Sequence, residues 1–386
     1  MKQAYRHVIV LVTPAYQPRL AGISRYAKHH GWQLTILDRI ARQPRGWCGD
    51  GALVTLRDNP APIAFVKSLR RRGIPVVDLT LNHPELRIPR VSGDHCLLGR
   101  IAREHFEERN FRNFAWFSTG WLNIHRLRYE GFARAPTARA VAAVPRWVFS
   151  EEAPDDRLDD FRWFDKWLCA KIVAAPKPLA ILAYDDADAA RVLGACLVNG
   201  ISVPEEVAIM GIGGDRLICE SQPVPLSSIE HDQGRTGYEG AKLLDRLMDG
   251  APAPGRPVLI PPRGITIRAS TDVIAASSPI MRKALEYIRS NIASPFGLSQ
   301  IADALGVSRS TVHRLFSVEV GRTVGEEILR QRIVFAKRLL MNESIAVAEI
   351  ARTAGFCNPG HFTNAFKSVQ GVTPTAFRRI FSTDVH

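Results

Sequence analysis

The sequence predicts a long α/β part followed by a shorter, entirely helical domain. From Val8 to about Arg268, short runs rich in β-branched residues alternate with amphipathic helical patterns, which is typical of βαβ units and parallel sheets. About 260 residues of this alternation are more than one doubly wound sheet usually needs, so we expect two lobes. Beyond Pro279 the periodicity is helical throughout and one motif occurs twice, which predicts an all-α domain.

Seven apolar runs are the predicted strands of the α/β part. In chain order they read HVIVLVT, WQLTILD, GALVTL, IPVVDL, FAWFS, LAILAY and VAIMGI. Three helical patterns lie beside them: one covers residues 18–30, one begins after the N-cap candidate Asp94, and one spans about Gly234–Met248. The stretch RASTDVIAASSP is rich in Ser and Ala and ends in Pro, so it is predicted to be a linker. We therefore place the α/β part at residues 1–270, the linker at 271–280 and the helical domain at 281–386.

The bulk composition argues against several classes of protein. Hydrophobic residues make up 46% of the chain, which is too many for a disordered protein. The early apolar run Val8–Val12 is too short for a signal peptide or a membrane span, so we expect a cytoplasmic location and no membrane partner. The six cysteines form no CxxC pair and the histidines show no zinc spacing, so we expect reduced thiols, no metal site and no cofactor.

Positive charge is concentrated in the helical domain. The net charge of the chain is +13, and residues 281–386 contain 14 Lys and Arg against 8 Asp and Glu. The charge density of this segment is therefore more than twice that of the residues before it. Such a balance favours a polyanionic partner such as nucleic acid.

The stretch IADALGVSRSTVHRLF, which begins at Ile301, predicts two helices joined by a tight turn. Gly306 ends the first helix and Ser308 can cap the second. A helix, a short glycine turn and a capped second helix form the helix-turn-helix pattern. The apolar stripe of the first helix consists of Leu298, Ile301, Ala302 and Leu305.

The same helix-turn-helix pattern recurs in IARTAGFCNPGHFTNAF, which begins at Ile350. Gly355 takes the place of Gly306, and Asn358 precedes Pro359 as the cap of the second helix. A third helix between the two copies begins with a Thr-x-x-Glu capping box at Thr323. Two hairpins joined by one helix can hold two recognition helices roughly 34 Å apart, which is one turn of DNA. We therefore predict that both hairpins bind the same side of a duplex.

The outward positions of the two hairpins are the candidate DNA contacts. Arg is the usual reader of guanine and Asn of adenine, whereas Lys, Ser and Thr more often contact phosphates. The alternative for any single residue is an ordinary solvated side chain. The candidates are Ser308, Arg309, Ser310, Thr311, His313 and Arg314 in the first hairpin and Asn358, Gly360, His361, Thr363, Asn364 and Lys367 in the second.

Residues 282–380 resemble the DNA-binding domain of the AraC/XylS family of transcription regulators. The matching stretches are LSQIADALGVSRSTVHRLF, GRTVGEEILRQRIVFAKRLL and VAEIARTAGFCNPGHFTNAFKSVQGVTPTAFR. The resemblance implies that each subunit binds double-stranded promoter DNA through two major-groove helices. We also expect a homodimer, with RNA polymerase as a further partner. Activation is the commoner expectation for this family, but the residues leave activation or repression open.

The α/β part contains no recognised catalytic motif. The stretch GIGGDR lacks the full spacing of a dinucleotide-binding turn, and P-loop, G-x-S-x-G and H-E-x-x-H motifs are absent from the sequence. The acidic run YDDAD at Tyr184–Asp188 either holds a cation or acts as a base, or it caps a helix and compensates the helix dipole. We favour the cap. A sugar-modifying or sugar-binding enzyme fused to a DNA-binding domain is the alternative to a sensor.

As a sensor, the α/β part would bind a small molecule with polar residues at strand ends. Open α/β sheets bind ligands beyond the carboxyl ends of their strands, and two lobes can form a cleft that closes on a ligand. Carboxylates and Arg hydrogen-bond sugar hydroxyls, and aromatic rings stack on sugar faces. The candidate effector contacts are Tyr16, Asp94, Trp121, Arg128, Asp186 and Asp215.

This part is also similar to the effector domain of LacI-type repressors, which has the two-lobed, type I fold of periplasmic binding proteins. The matching pieces include VSGDHCLLGRIAREHF, RYEGF, LAYDDADAARVLGACLVNGISVPEEVAIMGIGGDR, GYEGAKLLDRLMDG and IRAST. The resemblance implies a sugar-like effector, with Arg128 and Asp186 at the family's cleft arginine and strand-end aspartate. The family usually has an Asp where Gly213 stands, so either Asp215 replaces it or the ligand differs.

Overall fold

The structure is a computed structural model that describes residues 5–11, 17–37, 46–134, 143–273, 275, 278–340 and 344–381. Its contacts divide the chain into two compact units. The first unit comprises Met1–Leu98, Gly120–Glu130 and His231–Pro262. The second unit comprises Gly99–Thr119, Gly131–Glu230 and Arg263–His386.

Twelve strands lie within the described residues. They are β1 (Arg6–Leu11), β2 (Trp32–Leu37), β3 (Gly51–Val54), β4 (Val76–Asp78), β5 (Val91–Gly93), β6 (Asn113–Ser118), β7 (Arg146–Val148), β8 (Leu179–Ala183), β9 (Val207–Gly213), β10 (Ser227–Glu230), β11 (Val258–Ile260) and β12 (Gly264–Thr266).

The α-helices of the α/β part come first in the chain. They are α1 (Gln17–His29), α2 (Pro60–Arg71), α3 (His95–Glu108), α4 (Asn123–Ala133), α5 (Phe149–Glu152), α6 (Phe161–Ala174), α7 (Asp186–Val198), α8 (Arg216–Glu220) and α9 (Gln233–Met248). The remaining helices are α10 (Pro279–Ser290), α11 (Leu298–Leu305), α12 (Arg309–Leu315), α13 (Val324–Leu340), α14 (Val347–Thr353), α15 (Pro359–Gln370) and α16 (Pro374–Phe381).

The first unit contains a four-stranded parallel sheet in the order β2-β1-β3-β4 and a parallel pair formed by β5 and β11. Successive side chains of a strand point to opposite faces, and both faces of this sheet are covered. Val8 and Val10 pack in one apolar cluster with residues of α1 and α9, whereas Ile9 and Leu11 pack in another with residues of α2. This two-sided burial explains why β1 reads as an unbroken apolar run.

The sheet of the second unit has six strands in the order β12-β10-β9-β8-β6-β7. Its strand pairs are parallel except that β12 runs antiparallel to β10. All seven predicted strands and the three predicted helices of the α/β part are present. The sequence analysis did not predict β5, β7, β10, β11 and β12, which are three or four residues long. The strands β3 and β4 are as short, but they lie within the longer predicted runs GALVTL and IPVVDL.

The start of the predicted linker is packed within the second unit. The Thr271 side chain is fully buried, and its hydroxyl lies 3.0 Å from Nε2 of His105 and 2.7 Å from the Ser227 hydroxyl. The Ser270 hydroxyl donates to the carbonyl oxygen of Ile209 at 2.6 Å. Small hydroxyl side chains resemble linker composition in the sequence, but here they satisfy buried polar groups.

The C-terminal helices form two small apolar cores that share α13. The first core contains Ile301, Val312 and Phe316, and the second contains Phe362 and Phe366. The buried residues Val324 and Ile328 of α13 lie in the first core, and its buried residues Ile333, Ala336 and Leu340 lie in the second. The predicted architecture of two helix-turn-helix hairpins joined by one helix is confirmed.

Candidate effector residues and nucleic-acid interface

Asp94 follows β5 in the first unit and serves as a helix cap. Its Oδ1 accepts a hydrogen bond of 2.9 Å from the backbone N–H of Leu97, and its own N–H donates to Ile260 at 2.9 Å. These two bonds fix the position where β5 passes into α3. The predicted capping role of Asp94 is therefore confirmed.

Arg128 is buried in the first unit and bonded to a histidine that the sequence analysis did not single out. Its Nε donates to Nδ1 of His95 at 3.1 Å, and Nε2 of His95 lies 3.2 Å from the Ser92 hydroxyl. Since Nδ1 accepts, the proton of the neutral ring is on Nε2. Arg128 and His95 are only 6% and 4% exposed.

A second buried chain of hydrogen bonds in the first unit joins α1 to the start of α9. Nε of Arg19 donates to Oε1 of Gln233 at 2.9 Å. The amide nitrogen of Gln233 therefore faces Nδ1 of His231, at 2.5 Å. This arrangement places the His231 proton on Nε2, and that atom is buried and has no hydrogen-bond partner among the described residues.

The histidines of these chains are neutral. Burial lowers the pKa of His95 and His231 well below the usual range, and the positive charges of Arg128 and Arg19 lower both pKa values further. Burial and the charge of Arg128 also lower the pKa of His125 to about 3. This part of the first unit therefore combines buried guanidinium groups with uncharged imidazoles.

Trp121 is half-buried near the start of α4. Its ring centroid lies 6.3 Å from that of His125 and 6.1 Å from that of Tyr129. The indole is thus held by neighbouring rings of its own segment. Tyr16, the remaining effector candidate from this half of the sequence, lies outside the described residues.

Asp186 is buried in the second unit, where β8 passes into α7. Its Oδ1 accepts from the Ser228 hydroxyl at 2.5 Å and its Oδ2 accepts from the Asp215 N–H at 2.7 Å. Burial raises the pKa of Asp186, while these two hydrogen bonds act in the opposite direction. The carboxylate is thus positioned by strand-end groups rather than by an ion pair.

The glycines at the end of β9 make room for this carboxylate. A Cβ at Gly211 would lie 2.3 Å from Oδ1 of Asp186, and a Cβ at Gly213 would lie 2.8 Å from Oδ2. Gly213 also has φ +151°, which side-chain-bearing residues rarely adopt. An Asp at position 213 therefore conflicts with the observed position of Asp186.

The other acids of this region cap helices. Oδ1 of Asp215 accepts from the N–H groups of Leu217 and Ile218 at the start of α8, and Oδ1 of Asp185 accepts from Asp188 at the start of α7. Asp215 therefore uses one of its two carboxylate oxygens as a helix cap. The cap interpretation of the YDDAD run is confirmed for Asp185.

The first helix-turn-helix hairpin has the predicted turn and cap. Gly306 is left-handed with φ 65°, and Ser308 accepts from the Thr311 N–H at 3.1 Å. Val312 is fully buried, so the opposite side of α12 faces outward. Thr311 is half-buried, and the exposed candidates are Ser308, Arg309, Ser310, His313 and Arg314.

The second hairpin is built in the same way. Gly355 has φ +79°, and Asn358 accepts from the His361 N–H at 2.8 Å. Phe362 is fully buried on the inner side of α15. Thr363 is half-buried, and the exposed candidates are Asn358, Gly360, His361, Asn364 and Lys367.

Sequence reasoning missed the polar partners Arg19, His95, His231 and Gln233. His95 follows Asp94 directly and His231 follows β10, so a search of strand ends for histidines would have found both. Arg19 and Gln233 gave no local signal because their contact spans 214 positions of sequence. No helix in the described part of the chain is long and apolar enough to cross a membrane.

Comparison with known proteins covers both parts of the chain. Residues 103–271 match the periplasmic binding protein-like domain, and residues 301–380 match a helix-turn-helix domain. The xylose operon regulatory protein of Escherichia coli K12 is 27% identical over 402 aligned residues, which cover 98% of each chain. Its namesake in Haemophilus influenzae is 28% identical over 291 residues, which cover 75% of this chain and 74% of that protein.

Among solved structures, the xylose-binding transcription activator xylR matches with a TM-score of 0.61 and 25% identity. The match covers 98% of this chain and 99% of that chain. These comparisons give no support to the alternative of a sugar-modifying enzyme.

Proposed function

Since this chain is a transcription regulator that joins a periplasmic binding protein-like domain to an AraC-type helix-turn-helix domain, we propose that α12 and α15 read promoter DNA under the control of a sugar bound to the α/β part. Both resemblances drawn from the sequence are confirmed. The observation that carries the proposal is the outward exposure of polar and basic residues on both second helices. In this proposal residues 1–270 sense the effector and residues 281–386 bind DNA.

The proposed DNA-binding role follows from which side chains of each hairpin are buried in a core and which are exposed to solvent. Val312 and Phe316 turn into the first core, and Phe362 and Phe366 turn into the second. The remaining side of each helix presents hydrogen-bonding groups to solvent. Arg309 is then a candidate for direct base contact, whereas small hydroxyl residues suit phosphate contacts.

The effector is proposed to be xylose or a related sugar or sugar derivative. The relatives that cover most of this chain are named for the xylose operon, and one matching structure is titled xylose-binding. Asp186 supplies a buried carboxylate of the kind that accepts hydrogen bonds from sugar hydroxyls. Arg128 supplies a buried guanidinium that can donate to sugar oxygens.

We propose that the protein acts in the cytoplasm as a homodimer and activates carbohydrate-utilisation promoters with RNA polymerase as a partner. Neither a cofactor nor a catalytic step is part of this proposal, because Asp185 and Asp215 serve as helix caps. The effector would shift an equilibrium between two DNA-binding states. A coupling free energy of about 1–3 kcal/mol is typical of such switches.

The test uses the full-length protein and fluorescently labelled DNA from the regions upstream of its own gene and of the neighbouring genes. Fluorescence anisotropy would give the Kd for DNA with and without xylose over a range of salt concentrations. We expect a steep salt dependence and a change of about 5- to 150-fold in the Kd upon effector binding. Asp186→Asn should remove the effector response and retain DNA binding. Failure to bind any such fragment, or a Kd that no sugar changes, would contradict the proposal.

A further inference from the structure

We propose that Arg112 is a positioning residue for α12, the recognition helix of the first hairpin, and that the effector therefore controls the DNA contacts of α12 more than those of α15. This inference rests on the proposed function, because it names the hairpin that receives the effector signal. Arg112 lies between α3 and β6 in the second unit and is not among the predicted effector or DNA contacts.

The recognition helix of the first hairpin continues beyond α12. A π-helical turn at Phe316–Val320 follows Leu315 without a break, and the N–H of Gly321 donates to the carbonyl oxygen of Phe316 at 2.7 Å. Gly321 is left-handed with φ 65° and ends the turn. Single π-helical turns are rare and occur frequently at functional sites.

Arg112 caps this turn from the α/β part. Its Nη2 donates to the carbonyl oxygen of Glu319 at 2.8 Å and to that of Val320 at 2.6 Å. The last carbonyl oxygens of a helix lack partners within it and form the negative end of the helix dipole, so a guanidinium group is a favourable cap there. The end of the recognition helix is therefore attached directly to the residue that precedes β6.

The Glu319 side chain attaches the same turn to the start of α10. Its Oε1 accepts from the Ser278 hydroxyl at 2.7 Å and its Oε2 accepts from the Ser278 N–H at 3.2 Å. The Ser278 hydroxyl oxygen accepts from the Met281 N–H at 3.2 Å, as the N-cap of α10. Because Met281 packs with Val312 of α12 in the first core, the π-helical turn, α10 and α12 form one packed body.

The segment 109–112 that carries Arg112 also holds the predicted linker. Nδ2 of Asn110 donates to the carbonyl oxygen of Ala275 at 2.8 Å, and the Ala275 N–H donates to the carbonyl oxygen of Arg109 at 2.7 Å. Asn110 is left-handed with φ 66°, a conformation that Asn adopts more readily than most residues with a side chain. The few residues after α3 therefore bond both to the linker and to the first recognition helix.

The second hairpin is attached differently. Within the described part of the chain, no hydrogen bond or ion pair joins α14 or α15 to the α/β part. Both helices pack on α13, whose Lys337 lies 2.7 Å from Oε1 of Glu108. The position of α15 thus follows that of α13, whereas the position of α12 depends on α13 and also on Arg112.

This difference gives the effector a way to change DNA binding. A shift of the segment 109–112 relative to α13 would displace α12 and leave α15 in place. Two recognition helices bind one side of a duplex only when their separation matches the turn of the DNA. The contacts of α12 would then form fully in one effector state, whereas those of α15 would be the same in both.

The role of Arg112 can be tested by measuring the xylose response, which is the factor by which D-xylose changes the Kd for promoter DNA in the full-length protein. Fluorescence anisotropy should show that Arg112→Ala reduces this response by about threefold or more. The Kd for xylose itself, measured by isothermal titration calorimetry, should stay within about twofold of the wild type. Arg112→Lys should retain part of the response, because it keeps the charge but not the guanidinium geometry.

The matched control for Arg112→Ala is Arg162→Ala, which removes an exposed arginine from α6 of the same unit. It should leave the xylose response at the wild-type value. A reduction as large as that of Arg112→Ala would show that loss of any positive charge from this unit is enough, and would overturn the role of Arg112.

One substitution in each recognition helix tests the difference between the hairpins. Arg309→Ala on α12 should weaken DNA binding mainly in the tighter-binding effector state and so reduce the xylose response. Asn364→Ala on α15 should weaken DNA binding about equally with and without xylose. Equal reductions of the response by both variants would overturn the preferential control of α12.

Hydrogen–deuterium exchange followed by mass spectrometry tests the contact of Arg112 and needs no effector. Arg112→Ala should raise the exchange rate of residues 316–321 by about threefold or more, because the turn loses its cap. The exchange of residues 359–370, which form α15, should stay unchanged. Unchanged exchange at residues 316–321 would overturn the positioning role.

The outcomes separate this inference from the proposed function. A smaller xylose response in Arg112→Ala and Arg309→Ala, but not in Asn364→Ala, supports both. A full response in Arg112→Ala overturns this inference and leaves the proposed function intact. A wild-type Kd for DNA that no sugar changes contradicts the proposed function and the control of α12 with it.

Discussion

Arg330 of α13 donates a hydrogen bond of 2.9 Å to the backbone carbonyl oxygen of Glu107 in the last turn of α3. Its guanidinium also donates to the carbonyl oxygen of Glu108, and Nζ of Lys337 lies 2.7 Å from Oε1 of Glu108. The last carbonyls of a helix have no partner within that helix, so Arg330 caps α3 from the DNA-binding side. The helix shared by both hairpin cores is thereby fixed to a helix of the α/β part.

Replacement of Arg330 by Ala should weaken the coupling between effector and DNA. The helix that Arg330 caps begins at His95, the partner of Arg128, so it connects a candidate effector residue to α13 along one backbone. In the variant, the effector-dependent change in the Kd for DNA should fall below about twofold, against the 5- to 150-fold typical of coupled sites. Anisotropy titrations with and without effector measure this change.

The effector affinity of the Arg330→Ala variant should stay within about threefold of the wild type, since Arg330 itself lies outside the predicted effector contacts. Arg282→Ala, which removes an exposed charge from α10, is the matched control and should behave like the wild type. Full coupling in the Arg330 variant would show that the α3 cap is only structural.

Glu327 should make the stability of the helical domain sensitive to acid. Its fully buried side chain lies 3.0 Å from Nη2 of Arg330 and 3.3 Å from Nη1 of Arg322, and it accepts from Gln331 at 2.7 Å. Burial raises the pKa of Glu327, but the two arginines and the hydrogen bonds lower it more, so the net pKa lies below its usual value. The stabilisation is therefore present above the unfolded pKa of about 4.3 and is lost as pH falls through the folded pKa.

Glu327→Gln should lower the free energy of unfolding by about 3 kcal/mol at pH 7, because it leaves two partly buried guanidinium groups without their anion. The difference from the wild type should shrink as the pH falls below about 4. Urea unfolding followed by circular dichroism at several pH values measures both effects. Glu286→Gln, an exposed change on α10, is the control. A loss that is the same at every pH would argue against ionisation as its cause.

Arg309 and Lys367 should affect DNA binding differently. If Arg309 reads a base, Arg309→Ala should reduce discrimination at one base pair by about 1–3 kcal/mol. If Lys367 contacts a phosphate, Lys367→Ala should weaken all sequences equally and reduce the salt slope by about one. Competition titrations with single-base variants of the site distinguish the two. Equal losses on every sequence for Arg309→Ala would assign it to the backbone.

The two turn glycines should differ in their tolerance of a side chain. Both are left-handed, with φ +65° at Gly306 and +79° at Gly355, so Ala at either position should cost about 1 kcal/mol of backbone strain. A Cβ at Gly355 would also lie 2.6 Å from the carbonyl oxygen of Ile292, whereas a Cβ at Gly306 has open space around it. We expect Gly355→Ala to cost about 3 kcal/mol in all. Thermal and urea unfolding measure both variants, and equal losses would refute the steric explanation.

Local patterns in the chain were enough to predict much of this architecture. The i, i+3, i+4 spacing of Ile301 and its neighbours, the caps at Ser308 and Asn358 and the apolar run of β1 each reflect hydrogen bonds and burial within a few residues. Such features depend on the period of the backbone and not on distant partners. The exposed residues of α12 and α15 could be predicted for the same reason. The apolar residues of a short helix identify its buried side, so the polar residues on the opposite side are expected to face solvent.

Contacts between residues far apart in the sequence leave no periodic pattern in it, so the sequence analysis did not predict them. The Arg19–Gln233 bond joins residues 214 positions apart, and the contacts of Arg330 with Glu107 join residues 223 positions apart. Composition was also misleading at Thr271, whose small polar side chain resembled a linker and instead satisfies buried groups. The packing of sheets and helices decides which buried donors and acceptors meet. A buried hydrogen bond depends on the distance between two groups in space and not on their spacing along the chain.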